Sequence, residues 1–466
     1  MCDGYAVAES GHQIRQPEGH PDDPRLHSRE RGGCAARHAA GRGGNTSLGS
    51  AGPRCSEAAR DARRNVTAPT RSTRHDVIVV GSRCAGAATA MLLARAGHDV
   101  ALVDRAALPS DTLSTHGIAR GGVVQLSRWG LLDAVLASGA PPARRVTFGV
   151  DGELIVRGIK DRAGVDMLVA PRRHVLDALL ADAAREAGAH VLTEVTATAV
   201  LRDGSGRVTG ITTRARRGGT AELTGRYVIG ADGLRSSIAG YVGAQTVDSF
   251  TTNVGLFYAY VASPSWNGFE FHVAPSSFAG VFPTHDGQAC VWLCRPVPLL
   301  QTISQAASAR GDALVAELMR LAPSVGERAR AGHLASPVRG VARMPNYVRE
   351  SHGPGWALVG DAGYHRDPIT GHGMTDAFRD AELLAGAVSR SLRDPRDESS
   401  ALAGYERARA AALRETFELT RTLTAFPPPP RFAELQSQLS KALDREAHML
   451  ASLPEPPGTR QAAPAA

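Results

Sequence analysis

His75-Asp-Val-Ile-Val-Val-Gly-Ser-Arg-Cys-Ala-Gly86 is the stretch that decides how this chain is read. Val77–Val80 is an unbroken β-branched run. Such a run suits a parallel strand buried on both faces, because a half-exposed strand would alternate with polar residues. Gly81 permits a tight turn after it, and Ala85–Ala96, rich in Ala and Leu, predicts a helix that Gly97 stops. Val100–Val103 predicts a second buried strand. Strand, glycine turn, helix and strand in quick succession make a βαβ unit.

The turn is a degenerate G-x-G-x-x-G. Gly81 serves the turn, and Gly86 lets the helix lie close to the strand. The free N–H groups and partial positive charge of the helix N-terminus suit a pyrophosphate. Arg83 stands where the middle glycine is usual, so its side chain must turn away or pair with a phosphate. Asp104 ends the second strand, eighteen residues beyond Gly86. A carboxylate there accepts hydrogen bonds from ribose hydroxyls and suits FAD or NAD better than NADP. Arg105 follows it and joins the candidate cofactor-binding set.

Two later segments repeat the pattern of an apolar strand entering a Gly/Asp turn. They are Tyr227-Val-Ile-Gly-Ala-Asp-Gly233 and Trp356-Ala-Leu-Val-Gly-Asp-Ala362, the second trailed by Pro368 and Gly371-His-Gly373. Taken singly, Asp232 and Asp361 read as turn or cap residues. Taken together and in this order, the three turns predict one cofactor site assembled from distant pieces of chain. The Pro368–Gly373 loop opens a predicted helix, Thr375–Leu392, whose N-terminus can hydrogen-bond a polar ring edge.

Between and beyond these motifs the pattern predicts further elements. Val123–Leu136 reads as a helix, Arg145–Gly158 as a hairpin about Asp151-Gly152, and Arg173–Ala187 as an amphipathic helix stopped by Gly188. Val191–Leu201 and Arg207–Ala215 form another hairpin. Strand-like runs at Val254–Val261, Phe269–Val273 and Ala289–Arg295 suggest a mostly antiparallel sheet over one side of a pocket. Helices follow at Gly311–Leu321 and Ala401–Leu423, the latter ended by Phe426 and Pro427–Pro430. The expected fold is α/β: a Rossmann-like FAD-binding domain, an inserted mostly antiparallel β-sheet substrate domain and a C-terminal helical segment. The expected divisions are a disordered extension over 1–74, a discontinuous FAD-binding domain over 75–240 and 341–400, a substrate domain over 241–340, C-terminal helices over 401–453 and a disordered tail over 454–466. Residues 140–165 are expected to contribute to the substrate side.

Composition bounds the function. The 466 residues are 43% hydrophobic and 21% charged, ordinary for a globular protein. No window reaches eighteen apolar residues, and the first twenty residues lack an apolar core, so neither a membrane span nor a secretory signal is expected. Cytoplasmic location with reduced thiols is the expectation. The net charge of +7 invites nucleic acid, but residues 1–74, with twelve Arg and eight acids, carry four of those charges. No basic patch is interleaved with aromatics, so nucleic-acid binding is not expected. Cys290 and Cys294 have no partner pair, and no metal site is expected.

The three motifs together resemble the group A flavoprotein monooxygenases, the para-hydroxybenzoate hydroxylase-like family. That family carries a GxGxxG-type loop with a terminal acid, a central DG motif, and a GD motif followed by P-x-x-G-x-G. The resemblance runs from about Asp76 to Leu423. It implies FAD as cofactor, with Asp104 on the adenosine ribose and Asp361 on the ribityl chain. It places Gly371, Gly373 and Met374 at the isoalloxazine, with Gly360 and Pro368 also in the cofactor-binding set. Arg173, or Arg172 one residue earlier, would contact the FAD linker, and Asp232 and Gly233 would supply the DG motif. Arg120 would lie near the flavin and the NAD(P)H phosphates. Departures are Arg83, Tyr364 at the family's usual His with His365 after it, and Thr375 at the usual Asn.

The activity this implies is hydroxylation or epoxidation of a small aromatic or olefinic substrate, with transient NAD(P)H, O2 and a flavin C4a-hydroperoxide. His116, in Asp111-Thr-Leu-Ser-Thr-His116, and His365 are the candidate proton carriers. A reductase of the geranylgeranyl-reductase-like type shares all three motifs and stands as the alternative. A flavin- or ligand-binding module without turnover stands as the non-enzyme reading. Flavin-dependent halogenases add a G-W-x-W-x-I-P segment, and Phe278-Ala-Gly-Val-Phe-Pro283 has neither tryptophan. A homodimer is compatible with the sequence.

Overall fold

A computed structural model describes residues 73–263 and 265–458. The extension expected over residues 1–74 lies almost wholly outside the described residues, as does the end of the expected tail.

The βαβ unit forms as read. The strand Thr73–Val80 runs parallel to Val100–Asp104, with Val77 opposite Val100. The helix between them spans Cys84–Arg95, and Gly97 follows it with φ +87°. Val77, Ile78, Val79 and Val100–Val103 are fully buried, as strands covered on both faces must be. On its other side Thr73–Val80 pairs in parallel with Thr220–Gly230, which pairs in parallel with Trp356–Leu358. The three motif strands therefore lie side by side in one eight-stranded sheet, and their turns open at the same edge. Apolar faces of the helices Cys84–Arg95, Arg173–Glu186 and Gly373–Arg393 share one core with this sheet.

A second eight-stranded sheet carries the other wall. Its main order is His333–Leu334, Val254–Ala262, Gln288–Pro296, Ser277–Pro283, Phe269–Ala274, Arg145–Val150 and Glu153–Gly158. All its pairings are antiparallel except Phe269–Ala274 with Arg145–Val150. The hairpin read at Arg145–Gly158 thus adds its two strands to the end of this sheet. Cys290 and Cys294 are buried in its apolar layer, and burial pushes both thiols up. They are packing residues, inert as nucleophiles.

Two expected elements break where a residue takes positive φ. The helix read over Val123–Leu136 is two helices, Arg120–Arg128 and Leu132–Ala137, divided at Gly130 with φ +70°. The strand read over Val191–Leu201 is two, His190–Thr193 and Val195–Arg202, separated at Glu194 with φ +58°. The C-terminal segment is a pair of long helices, Glu398–Leu423 and Pro429–Ala451. Pro429 starts the second, at a position where a missing N–H does no harm. No helix among the described residues is long and apolar enough to cross a membrane.

Candidate functional site

The three strand ends converge on one cleft of about 720 Å³. Its floor is the first sheet. Gly81 turns with φ +107°, and a Cβ there would stand 2.3 Å from the carbonyl oxygen of Ala231. A Cβ on Gly86 would stand 1.8 Å from the carbonyl oxygen of Gly81. Both positions exclude any side chain, so the first turn and the DG turn touch backbone to backbone. Gly86 lies beneath the cleft and shapes it by this close packing, while Gly81, Arg83, Asp104 and Arg105 line it.

Arg83 precedes the first helical residue with extended backbone, and its guanidinium reaches only the Ser110 hydroxyl, at 3.5 Å. It stands at the helix N-terminus with no carboxylate partner among the described residues. Asp104 is pinned by the turns on either side of it. One oxygen accepts from the backbone N–H of Ser82 at 2.7 Å and from its hydroxyl at 2.9 Å, and the other from the N–H of Ala106 at 2.8 Å. These bonds fix the carboxylate at the rim of the cleft.

Asp232 shares its two oxygens among the Ser236 hydroxyl and the N–H groups of Ser237 and Ile238. It therefore caps the short helix Ser237–Val242 while lining the cleft beside Gly233. Asp361 lines the cleft next to Gly360 and presents its side chain toward it. The surrounding protein pushes its carboxyl up, against the pull of His365 and Arg173.

The two candidate arginines separate cleanly. Arg173 lines the cleft, held from beneath by Asp177 with both carboxylate oxygens 3.0 Å from Nη2. Arg172 points elsewhere: its guanidinium carbon lies 3.6 Å from the Tyr260 ring centroid. Arg120 does not line the cleft. Its Nε donates to Asp444 at 3.2 Å and its Nη1 to the carbonyls of Lys160 and Val165. The helix it begins packs on the C-terminal helix, and that contact takes its charge.

Pro368 and Gly371 line the cleft before the helix Gly373–Arg393, and Gly373 and Met374 line it from the helix's first two positions. His365 lines it too, with Nδ1 donating to the carbonyl of Pro345. Sequence reading missed Arg366. Its guanidinium is buried at the cleft, 2.9 Å from Asp376, and its nitrogens make no hydrogen bond among the described residues.

The opposite wall comes from the second sheet. Leu256, Tyr258, Val341 and Met344 line it, with Thr112–Gly117 bridging the two walls. Leu256, Tyr258 and Tyr260 alternate along one strand and so share a face. His116 is fully buried, with φ +66°, in a region that non-glycine residues enter only when the surroundings enforce it. Its Nε2 is hydrogen-bonded to the Tyr260 hydroxyl, and its Nδ1 has no partner among the described residues. Burial first, then the charges of Arg173 and Arg172, holds the imidazole well below its usual pKa, so it is neutral at pH 7. Tyr258 and Tyr260 carried no sequence signal beyond strand alternation.

The cleft fits FAD by its own features. An arginine without a carboxylate partner at a helix N-terminus and the buried guanidinium nitrogens of Arg366, which make no hydrogen bond among the described residues, suit a large polar ligand.

Comparison with known proteins agrees. Residues 74–420 match the family described as FAD binding domain. The chain is 26% identical over 357 residues to the digeranylgeranylglycerophospholipid reductase of Methanocella arvoryzae, covering 74% of this chain and 85% of that one. It is 28% identical over 386 residues to the menaquinone reductase of Mycolicibacterium smegmatis, covering 78% and 87%. Its fold matches PqsL, described as a probable FAD-dependent monooxygenase from Pseudomonas aeruginosa, with a TM-score of 0.69 and 23% identity, over 78% of this chain and all of that one. Flavin-dependent halogenases such as CndH share the fold at 19% identity and a TM-score of 0.67, over 83% of this chain and 99% of that one. The cofactor reading and the α/β flavoprotein fold expected from the three motifs hold: the chain belongs to the FAD binding domain family and is an FAD-dependent oxidoreductase.

Proposed function

We propose that the protein is an FAD-dependent monooxygenase that takes electrons from NAD(P)H and inserts oxygen from O2 into a small, uncharged aromatic or olefinic substrate. The observation that carries this reading is the cleft itself. One cavity of about 720 Å³ joins the cofactor cradle to an apolar wall of Leu256, Tyr258, Val341 and Met344. That space has to take both FAD and substrate, so the substrate is small.

When bound, FAD supplies the redox chemistry, and the protein supplies binding, orientation and a dry site. Arg83 and the N-terminus of the helix Cys84–Arg95 would hold the pyrophosphate, and Asp104 the adenosine ribose. Asp361 and Arg173 would hold the chain that links it to the ring. The Pro368–Met374 loop would meet the ring's polar edge. The neutral His116 and the Tyr260 hydroxyl bonded to it would form the proton relay, with His116 Nδ1, which has no partner among the described residues, offered to the substrate. With FAD and substrate in place, sheet and loop would exclude water from the pocket. His365, committed through Nδ1 to Pro345, serves placement of the loop.

A second reading is reduction of a substrate double bond without O2. The names of the curated relatives, a digeranylgeranylglycerophospholipid reductase and a menaquinone reductase, favour it. Turnover under ¹⁸O2 separates the two. Label in the product supports oxygen insertion, and substrate reduction that proceeds equally in the absence of O2 refutes it.

A further inference from the structure

Resting on the FAD reading above, we propose that His372 hydrogen-bonds the flavin through Nδ1. Glu446, on the C-terminal helix, is the positioning residue that aims it. His372 stands between Gly371 and Gly373, in the loop that opens the helix Gly373–Arg393. It lines the cleft yet is only 2% exposed. Its Nε2 lies 2.5 Å from Glu446 Oε2. Its Nδ1 is buried and has no partner among the described residues.

The tautomer follows from the partner. Burial alone would raise the Glu446 carboxyl, but His372 and Arg379 hold it well below the usual range. An ionised carboxylate only accepts, so Nε2 carries the proton and donates. A neutral ring then offers Nδ1 as an acceptor for a flavin N–H, and an imidazolium offers it as a donor to a flavin carbonyl or ring nitrogen. In either state the imidazole is fixed from behind and unsatisfied in front. A carboxylate that fixes one ring nitrogen sets the orientation and basicity of the other.

A metal ion does not compete for this place. His372, Asp376 and Glu446 bring ligand atoms within 4.8 Å of one another, the spacing of a cation site. Arg379 already supplies the cation: its Nη1 lies 2.7 Å from Asp376 and 2.6 Å from Glu446. Its Nε and Nη2 bind Asp380, so the guanidinium is tied on every side.

The helix that carries Glu446 has its own anchors. Asp444 binds Arg120 and Arg162, and a Cβ on Gly121 would stand 3.2 Å from Leu450. Arg128 donates to the carbonyls of Ala451, its last residue, and of Leu453 and Pro454 beyond it. Removing the Glu446 carboxylate therefore frees the imidazole without undocking the helix.

The test measures FAD affinity, flavin midpoint potential and melting temperature for His372→Ala, Glu446→Ala, their double variant, Glu446→Gln and Asp444→Ala. The expected result is that His372→Ala and Glu446→Ala each weaken FAD about tenfold, the scale of one net hydrogen bond. Both move the potential the same way, and the double variant goes no further. Glu446→Gln, whose amide oxygen still accepts from Nε2, recovers most of the loss. Asp444→Ala lowers the melting temperature and leaves the potential alone. Unchanged affinity and potential in His372→Ala overturns the proposal, as do additive shifts in the double variant or an Asp444→Ala that matches Glu446→Ala. Wild-type protein that binds no FAD overturns the FAD reading as well. Wild type that binds FAD while the variants match it overturns this inference alone.

Discussion

Arg173 Nη2 lies 3.0 Å from both carboxylate oxygens of Asp177, one helical turn along, and Cys84 Sγ lies 3.4 Å from the same carboxylate. Asp177 is fully buried. The start of one helix is thereby tied to the start of another at the point where the cofactor linker would pass.

Removing one partner of a buried pair strands the other's charge. Asp177→Ala is expected to lower stability by about 3 kcal/mol or more. Arg173→Lys keeps the charge but loses the forked geometry, and should weaken FAD while leaving most of the stability. Denaturant unfolding and a fluorescence titration with FAD check the two effects separately.

Gly81→Ala puts a side chain into the backbone of the neighbouring DG turn. At φ +107° with 2.3 Å to the Ala231 carbonyl oxygen, the turn has to open. The expected outcome is loss of FAD, with destabilisation of roughly 2 kcal/mol or more. A Gly81→Ala protein that retains stoichiometric flavin contradicts the geometry described.

His116→Ala and Tyr260→Phe address chemistry rather than cofactor binding. His116→Ala should reduce turnover by about 10² to 10⁴, the usual worth of a positioned proton carrier. Tyr260→Phe should reduce it less, because the imidazole remains. Flavin content and the rate of flavin reduction by NAD(P)H should stay near wild type in both. Equal losses in flavin content and turnover would instead mark the pair as packing residues.

The neutral burial of His116 has a pH signature. Its folded pKa lies well below 6.5, whereas in the unfolded chain it titrates near 6.5. The unfolded state therefore binds the proton more readily, and this stabilisation is present above pH 6.5 and lost as the pH falls below it. His116→Gln should show a shallower decline in melting temperature between pH 7.5 and 5 than wild type. Parallel curves for the two proteins would argue against a buried neutral imidazole.

Much of the cofactor half is legible in the sequence because strand, turn and helix sit within single short stretches. Val77–Val80, Gly81 and Gly86 carry their places in spacing and residue type alone, as does Asp104 its position at the end of the second strand. Arg120 misled for the opposite reason: its surroundings are set by Asp444, more than three hundred residues away. Arg366, Glu446 and the His116–Tyr260 pair depend on the same kind of long-range packing. A strand residue such as Tyr260 shows only its alternation until the sheet brings it to the loop. The break at Gly130 was visible as a glycine, but the choice between a tolerated glycine and a helix end is made by tertiary contacts.

The most direct measurement is the visible spectrum of purified protein supplied with FAD, before and after NADH or NADPH in air. The expected result is flavin bound in a one-to-one ratio, bleached by one of the nucleotides and re-oxidised by O2, with product formed when a small aromatic or olefinic substrate is present. Protein that binds no flavin even in excess FAD contradicts the cofactor site. Bound flavin that neither nucleotide reduces contradicts the proposed monooxygenase cycle.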